Sequence, residues 1–543
     1  MRNRVKLLAC GVVAGALVLA ACGKNDQPTP GPTGGTYSVA IESSRSFVPS
    51  NCYDIYCANV LSVLFTGLFA FQTQDDGTLV PEQTGLTNQV STSDNGKTWK
   101  IELNSGWKFT NGEPITAKTF IDTWNFAAYA PNGQELGFVF GPSQLNVKGY
   151  SDVAPSDPKA EPKSKTMSGL KAVGKNTIQV SLVSPLGDAL FKNFLAGPPV
   201  LPMPSVAFKD IKAYGKQPIG NGPYQLKKPW SATEVSLAKN SGYAGTPGNA
   251  DDIEFRVYAD NNTLWSDLQA GTLDVAPMLP QNALANAEQV LGDRFINDSA
   301  SLLVNYFGFP KGEAFKDKGT RVAISKAIDW AEINSKLFYG TRQRALSFVS
   351  DAAPGGGTDM CGDKCVFDAA AAKKSLQQAG GLPGGKVRLM ALASATQQTE
   401  KAICNQLQRN LGIECSIKVL PNYQAFFDAV ANAEPGDLFQ AGWAADNPTL
   451  ASTIGPLFSR DGGGNDFGYD NPRFDKLMQE GNAAQSPGEQ VAIWQRAEQV
   501  AMDDFWLAPT QFPNIVAGYS QNVSNVKVNS QAYVNLAQIT VVK

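Results

Sequence analysis

An α/β fold is predicted for this chain by three observations. Beyond residue 259, segments with strand-like and helical periodicity alternate. Hydrophobic residues make up 43% and charged residues 17%, a balance that builds a core instead of a disordered coil. The 543 residues suffice for roughly two to four domains.

The first 21 residues begin with Arg2, Arg4 and Lys6 and continue as an apolar run of about fifteen residues. A membrane span needs roughly 20, so a signal peptide over 1–21 is expected. The run ends in Leu19-Ala20-Ala21-Cys22, which resembles a bacterial lipobox. That resemblance implies cleavage before Cys22 and a diacylglyceryl group on its thiol; a plain signal peptide with an incidental cysteine is the alternative. The polar, Pro/Gly-rich segment 22–35 then reads as a tether between the bilayer and a folded body. No later segment approaches ~20 uninterrupted apolar residues.

The body opens with a strand at 36–42 (TYSVAIE) and a helix-spaced apolar segment at 59–71. Strands are expected at 98–103 and 107–109, with Gly96 completing a hairpin turn. Gly112-Glu113-Pro114 turns the chain into a helix opening near Thr116, whose apolar face includes Phe120 and Trp124. The segment 151–165 is a loop, and strands return over 170–183 and at 251–258. A helix over 320–337 follows, and Asp368 caps an Ala-rich helix that stops at Gly380-Gly381. From there the order is strand 387–393, helix 399–411, strand 413–420, helix 422–432 and strand 437–443. This βαβ rhythm predicts a parallel sheet covered by helices. Short strands close the chain after 514.

Composition removes several function classes. There is no histidine, hence no Ser-His-Asp triad, no Cys-His pair and no His-liganded metal. Lys+Arg is 46 against Asp+Glu 49, which offers no basic stripe for nucleic acid. No GxxxxGK[ST] phosphate loop is present. Of the eight cysteines, six fall in close pairs, Cys52/Cys57, Cys361/Cys365 and Cys404/Cys415. In an exported chain these read as three local disulfides, each stabilising by roughly 2–3 kcal/mol at most. The spacing of Cys361 and Cys365 also suits zinc, but no second close pair stands beside it, and neither a metal nor a cofactor is expected.

Eight phrases follow one another along the chain: VLFTGL at 63–68, GTLVP at 77–81, SDNGKTW at 93–99 and WKFTNGEPITA at 107–117, then IGNGPY at 219–224, AGTLDV at 270–275, RVAISKAIDW at 321–330 and GWAAD at 442–446. Together they resemble the large, peptide-type solute-binding proteins of ABC importers, family 5, which includes dipeptide and oligopeptide receptors. The resemblance implies a two-lobe periplasmic-binding-protein-like fold of type II with an extra domain. We expect lobe I from 36–50, 166–258 and 506–543, the extra domain from 51–165, and lobe II from 259–505. Most of the phrases read as scaffold, and Gly222-Pro223 is expected to shape a connection near the hinge.

The expected site lies in the last phrase. An apolar strand ends there in small residues and one carboxylate, and ligands of α/β sheets gather at strand ends. By the resemblance, Asp446 pairs with the α-ammonium of a peptide. Main-chain groups at Gly442 and Ala444 then bond its backbone in the manner of an added strand. Trp443 lines a side-chain pocket or belongs to the core. One departure stands out. Dipeptide receptors carry a carboxylate-binding Arg after the strand at 387–393, whereas 394–399 (SATQQT) has no cation. Arg342 and Arg344 are the candidate substitutes, against the alternative that both are merely exposed. Longer peptides or another ligand are therefore admitted.

The resemblance implies a monomeric, lipid-anchored receptor outside the cytoplasm that passes its ligand to a permease and an ATPase. Binding of small oligosaccharides and sensing of a peptide signal are alternatives. A carboxylate-pair hydrolase needs no histidine, but no such pair is evident in the sequence, and an enzyme is not expected.

Overall fold

A computed structural model describes residues 34–542, apart from 75–77, 158 and 394–396. The expected signal peptide, Cys22 and all of the tether except Gly34 and Gly35 lie outside the described residues.

Two sheets organise the lobes. The first has seven strands in the order Phe295–Asp298, Ile515–Tyr519, Val275–Ala276, Thr36–Ile41, Asp252–Val257, Glu234–Lys239 and Tyr224–Leu226. Its central strand is buried from Tyr37 to Ile41 because both faces are covered. Tyr37, Val39 and Ile41 join Val60, Leu61 and Leu64 of the helix Ile55–Leu64 in one apolar cluster. Ala40 joins Leu264 and Leu268 of the helix Asn261–Ala270 in another.

The second sheet has six strands in the order Arg342–Arg344, Leu507–Pro513, Leu303–Gly308, Asp437–Ala444, Lys386–Leu392 and Glu414–Leu420. It is mixed, which corrects the expected parallel sheet. Only the pairings of Lys386–Leu392 with its two neighbours are parallel. The strands that pass between lobes pair antiparallel.

A third, antiparallel sheet of Thr87–Thr92, Thr98–Leu103, Thr177–Ser181 and Leu170–Val173 forms the extra domain with the helix Ala117–Ala128. Trp99, Ile101, Phe120 and Trp124 are buried in it. Gly96 has φ +84° and lies so close to Leu186 that a Cβ would meet its carbonyl oxygen, as the expected tight turn requires.

Sheet membership moves the expected boundaries. Strands 275–276 and 295–298 belong to the first sheet, so the chain crosses to the second near 299–302 and not at 259. It crosses back at Asn514, between Leu507–Pro513 in the second sheet and Ile515–Tyr519 in the first, and not at 506. Residues 170–181 pair with 98–102 and so belong to the extra domain instead of lobe I. Periodicity identifies a strand, but only its pairing partner says which sheet owns it. The expected strand at 107–109 is reduced to one bridge between Lys108 and Pro114. Gly222 is held by a close backbone approach. Its N–H donates to the Leu64 carbonyl at 2.8 Å, at the end of helix Ile55–Leu64.

All three expected disulfides form, with Cα–Cα distances of 5.5 Å for Cys52–Cys57, 5.7 Å for Cys361–Cys365 and 5.1 Å for Cys404–Cys415. Among the described residues no group of three His, Cys, Asp or Glu could hold a metal ion, and no helix is long and apolar enough to cross a membrane.

Candidate functional site

The strand Asp437–Ala444 carries the candidate site because its two ends differ. At its start, Asp437 is only 2% exposed and bonds the Arg388 guanidinium at 2.6 and 3.0 Å, which fixes the strand in the sheet. One side pairs with Leu303–Gly308 from Phe439 to Ala444. The other side pairs with Lys386–Leu392 only from Asp437 to Phe439. From 440 to 444 the main chain therefore offers an open edge among the described residues. Unpaired edge groups are templates for an added strand. Gly442 and Ala444 are exposed there.

The strand runs into Ala445, whose N–H donates to the Leu302 carbonyl at 3.0 Å, at the first crossing between the sheets. Asp446 follows. Its main-chain carbonyl accepts from Gln531 Nε2 at 2.8 Å, so the tail of lobe I touches it directly. Its carboxylate has neither a hydrogen bond nor an ion pair among the described residues. Solvent reaches Asp446, yet protein atoms crowd its carboxylate closely. Burial without a compensating cation pushes its pKa up to about 6. The charge of Asp446 adds to burial in holding the Tyr533 phenol well above its usual range.

Trp443 is half-buried and pinned. Its indole N–H donates to the Ser452 carbonyl at 2.9 Å, and its ring packs against Gly464 with only 2.9 Å to spare for a Cβ there. It is part of the packing beside the open edge. Gly442 is required on its own account, since a Cβ would come within 2.8 Å of Asn305 Oδ1.

Four expected residues, Gly442, Trp443, Ala444 and Asp446, thus share one strand end. Arg342 is not brought to them. It lies on the far edge of the sheet, with Leu507–Pro513 and Leu303–Gly308 between it and the site strand. Its guanidinium stacks 3.6 Å from the Phe338 ring centroid, and burial lowers its pKa to about 10. Arg344 donates to the carbonyls of Ala345, Pro509, Thr510 and Cys365. Neither arginine is simply exposed, and Arg344 is a strut of the fold. Of the loop that lacks the expected cation, residues 394–396 lie outside the described residues.

Two polar groups of the repeated phrases are also structural. Asp274 accepts from the Ser38 N–H at 2.8 Å and from the Ser38 and Ser520 hydroxyls, both at 2.9 Å, which knits the first sheet together. Arg321 is buried, donates to main-chain carbonyls including Phe505 at 2.9 Å, and stacks on Trp506. Sequence reasoning missed Gln531 and Tyr533, which reach Asp446 only through the chain's return to lobe I.

A cavity lies next to this strand end. About 320 Å³ lies between Leu186, Leu190 and Phe194 of the extra domain and Asn447 and Met478 of lobe II. It touches Asn447 but none of residues 442–446. Its single lining cation, Arg460, is committed to Asp470 at 2.7 Å. The uncompensated carboxylate and the open edge lie at the neighbouring strand end, which is the candidate site.

Comparison with known proteins gives one family. The sequence model of the bacterial extracellular solute-binding proteins, family 5 Middle, matches residues 83–465. The oligopeptide-binding protein OppA of Bacillus subtilis is 23% identical over 91% of this chain and 92% of its own. Among solved structures, the murein tripeptide binding protein MppA of Escherichia coli matches with a TM-score of 0.78 at 20% identity, covering 94% of this chain and 99% of its own. OppA of Haemophilus influenzae, in complex with the peptide RPPGFSPFR, matches with a TM-score of 0.76 at 21% identity, covering 94% and 99%. These structures share the two-lobe α/β fold.

Proposed function

Because this chain belongs to the bacterial extracellular solute-binding proteins of family 5, we propose that it captures peptides between its lobes for an ABC importer. The peptide's α-ammonium sits at Asp446, and its backbone adds to the open edge at 440–444 beside Trp443. The observation that carries this reading is the unpaired carboxylate at the end of an unpaired strand edge, where the chain crosses between sheets. A carboxylate in such a place costs free energy until a cation reaches it, and a free peptide brings that cation together with main-chain donors and acceptors. Contacts from both lobes favour the closed arrangement. The names of the similar proteins, OppA and MppA among them, support a peptide as the ligand. Affinity drawn from the ligand's main chain leaves the side chains loosely constrained, and without a carboxylate clamp at 394–399 the length is not fixed.

The chain does no chemistry of its own. Lipidation at Cys22 holds it, as a monomer, on the outer face of the cell membrane, and a permease with its ATPase completes transport. Lipidation is tested by a Cys22→Ser chain, which should leave the detergent phase on phase separation. For the ligand, thermal unfolding of the chain from Cys22 onward is followed with peptide and oligosaccharide libraries. A ligand specific to the folded state raises Tm. Peptides should produce the shift; a shift with cello- or chito-oligosaccharides and none with peptides would sink the assignment.

A further inference from the structure

Lobe II touches the extra domain at a place where no chain joins them. The chain passes from the extra domain to lobe II only by way of lobe I, through the crossing near 299–302. Yet the Gly187 N–H donates to the Asn482 carbonyl at 2.9 Å, and Gln485 Nε2 donates more weakly to the Asn95 carbonyl at 3.4 Å. Both sides of this seam are stiff. On the extra domain, the Leu186 N–H donates to the Gly96 carbonyl at 3.1 Å, and the helix Asp188–Phe194 is fastened by Phe191, whose ring stacks 4.2 Å from that of Trp99. On lobe II, the turn 484–486 joins the helices Pro472–Ala483 and Pro487–Asp504, and Trp494 Nε1 donates to Asn482 Oδ1 at 3.0 Å.

Gly187 stands where only this contact needs a glycine. Its φ of −68° and ψ of 154° suit any residue, but a Cβ would collide with the Ala484 carbonyl oxygen and with Gln490 Nε2. The seam is nonetheless poorly sealed. Gln490 is 2% exposed, and its Nε2 has no hydrogen-bond partner among the described residues. A buried amide N–H without a partner costs free energy that water restores when the contact parts. The cavity of about 320 Å³ interrupts the same seam, with Asn146 and Ser184 on one wall and Asn447 and Gln479 on the other. Polar walls of this kind part at little cost, because water replaces each lost contact. Stiff bodies meeting through a few hydrogen bonds and an unpaired amide make a contact that opens as a unit.

We propose that Gly187 and the turn 484–486 form a clasp between the extra domain and lobe II, open in part of the free protein and shut when a peptide is bound between the lobes. The link to the ligand rests on the peptide reading above; the opening of the seam does not. Asn447, directly after Asp446, lines the cavity in the seam, and its N–H donates to Ser452 Oγ at 3.2 Å. The carbonyl of the same Ser452 holds the Trp443 indole. The strand Asp437–Ala444 and the lobe II side of the clasp therefore belong to one body, and a swing of lobe II about its crossings moves both together. A ligand that favours the shut clasp is bound more tightly by it, in the same proportion. The extra domain thereby sets how firmly a ligand is held.

The test compares the chain from Cys22 onward with two variants. In Gly187→Ala a methyl group wedges the seam while the backbone stays unstrained, and Gln485→Ala removes one exposed side chain. Small-angle scattering without ligand should give Gly187→Ala a larger radius of gyration than wild type. Amide exchange over 183–190 and 482–490, read by mass spectrometry, should quicken about tenfold in Gly187→Ala and less in Gln485→Ala. Exchange of the strand Thr98–Leu103 should stay unchanged, which shows the extra domain folded; if Gly187→Ala quickens that strand too, Gln485→Ala carries the comparison. Pentaalanine should slow exchange at both seam segments of wild type, and calorimetry should show it bound about three- to tenfold more weakly by Gly187→Ala. Unchanged scattering with unchanged seam exchange overturns the clasp, whatever peptides do. A looser seam with unaltered pentaalanine affinity overturns the link to the ligand and leaves the peptide reading standing. Failure of wild type to bind any peptide overturns the peptide reading and that link, and scattering with exchange still decides whether the seam opens.

Discussion

The strand end at Asp446 and the lobe II interior around Glu498 present the same electrostatic problem with opposite solutions. Glu498 lies on the helix Pro487–Asp504, is 1% exposed, and accepts the Phe348 N–H at 2.6 Å. Burial pushes its pKa up to about 7, against the smaller, opposing effect of that bond. Asp446 is pushed up by burial alone, to about 6. The interior carboxylate is enclosed and bonded to the main chain, whereas the strand-end carboxylate is unbonded and open to solvent. A raised pKa therefore does not mark a site. Solvent access combined with a missing partner does.

The largest expected effect separates the two roles. Asp446→Asn keeps the shape and removes the charge, so it should weaken peptides with a free amino terminus by about 30–100-fold, or ~2–3 kcal/mol. N-acetylated peptides of the same sequence should lose little. Calorimetry with both series reads the difference, and equal losses would remove Asp446 from the ammonium site.

Glu498→Gln should act on stability and leave binding unchanged. The sign follows from linkage. A carboxyl whose folded pKa exceeds its unfolded value binds protons more tightly in the folded state, so the wild type loses stability as pH rises from about 4.5 through 7. Glutamine has no charge to bury and escapes that loss. The shift corresponds to ~3 kcal/mol, reduced by ~1 for an amide group with no arranged partner. Glu498→Gln should thus be more stable than wild type by about 2 kcal/mol at pH 8, with the gain fading by pH 5 in urea denaturation. A variant that loses peptide affinity as well would blur the contrast between interior and strand end.

The same contrast explains what the sequence made legible. The phrase GWAAD stands out by a local signal, an apolar strand ending in small residues and one acid, and the sheet edge opens at that place. The α/β class and the three disulfides were legible for the same reason, since periodicity and close cysteine spacing are local. Gln531 and Tyr533 carry no such signal and reach Asp446 through the chain's return to lobe I. The lobe boundaries slipped because Val275–Ala276 is a two-residue strand, recognisable only by its partners Val39, Tyr519 and Gly518. Arg342 was named for its charge, but its placement across the sheet follows from pairing with Pro513, which the sequence does not display.

The smallest expected effect is on pH dependence, and it sharpens the comparison most. Peptide capture through the α-ammonium needs Asp446 ionised. With a pKa of about 6, most of the free protein carries that charge at pH 7 and about one-tenth does at pH 5. Affinity for free-amine peptides should then fall about tenfold from pH 7 to pH 5, and binding near pH 6 should release protons, measurable as a buffer-dependent heat. The amino terminus stays protonated throughout this interval, so its titration does not contribute. Glu498 gains protons over the same range, yet it lies in the lobe II interior with its carboxylate bonded to Phe348, and its protonation stabilises the fold without touching the ligand. N-acetylated peptides, and any peptide with Asp446→Asn, should therefore bind with a flat profile while wild-type stability still changes with pH. If the acetylated series weakens tenfold as well, protonation acts through the body of the lobe, and the separation between strand end and interior fails.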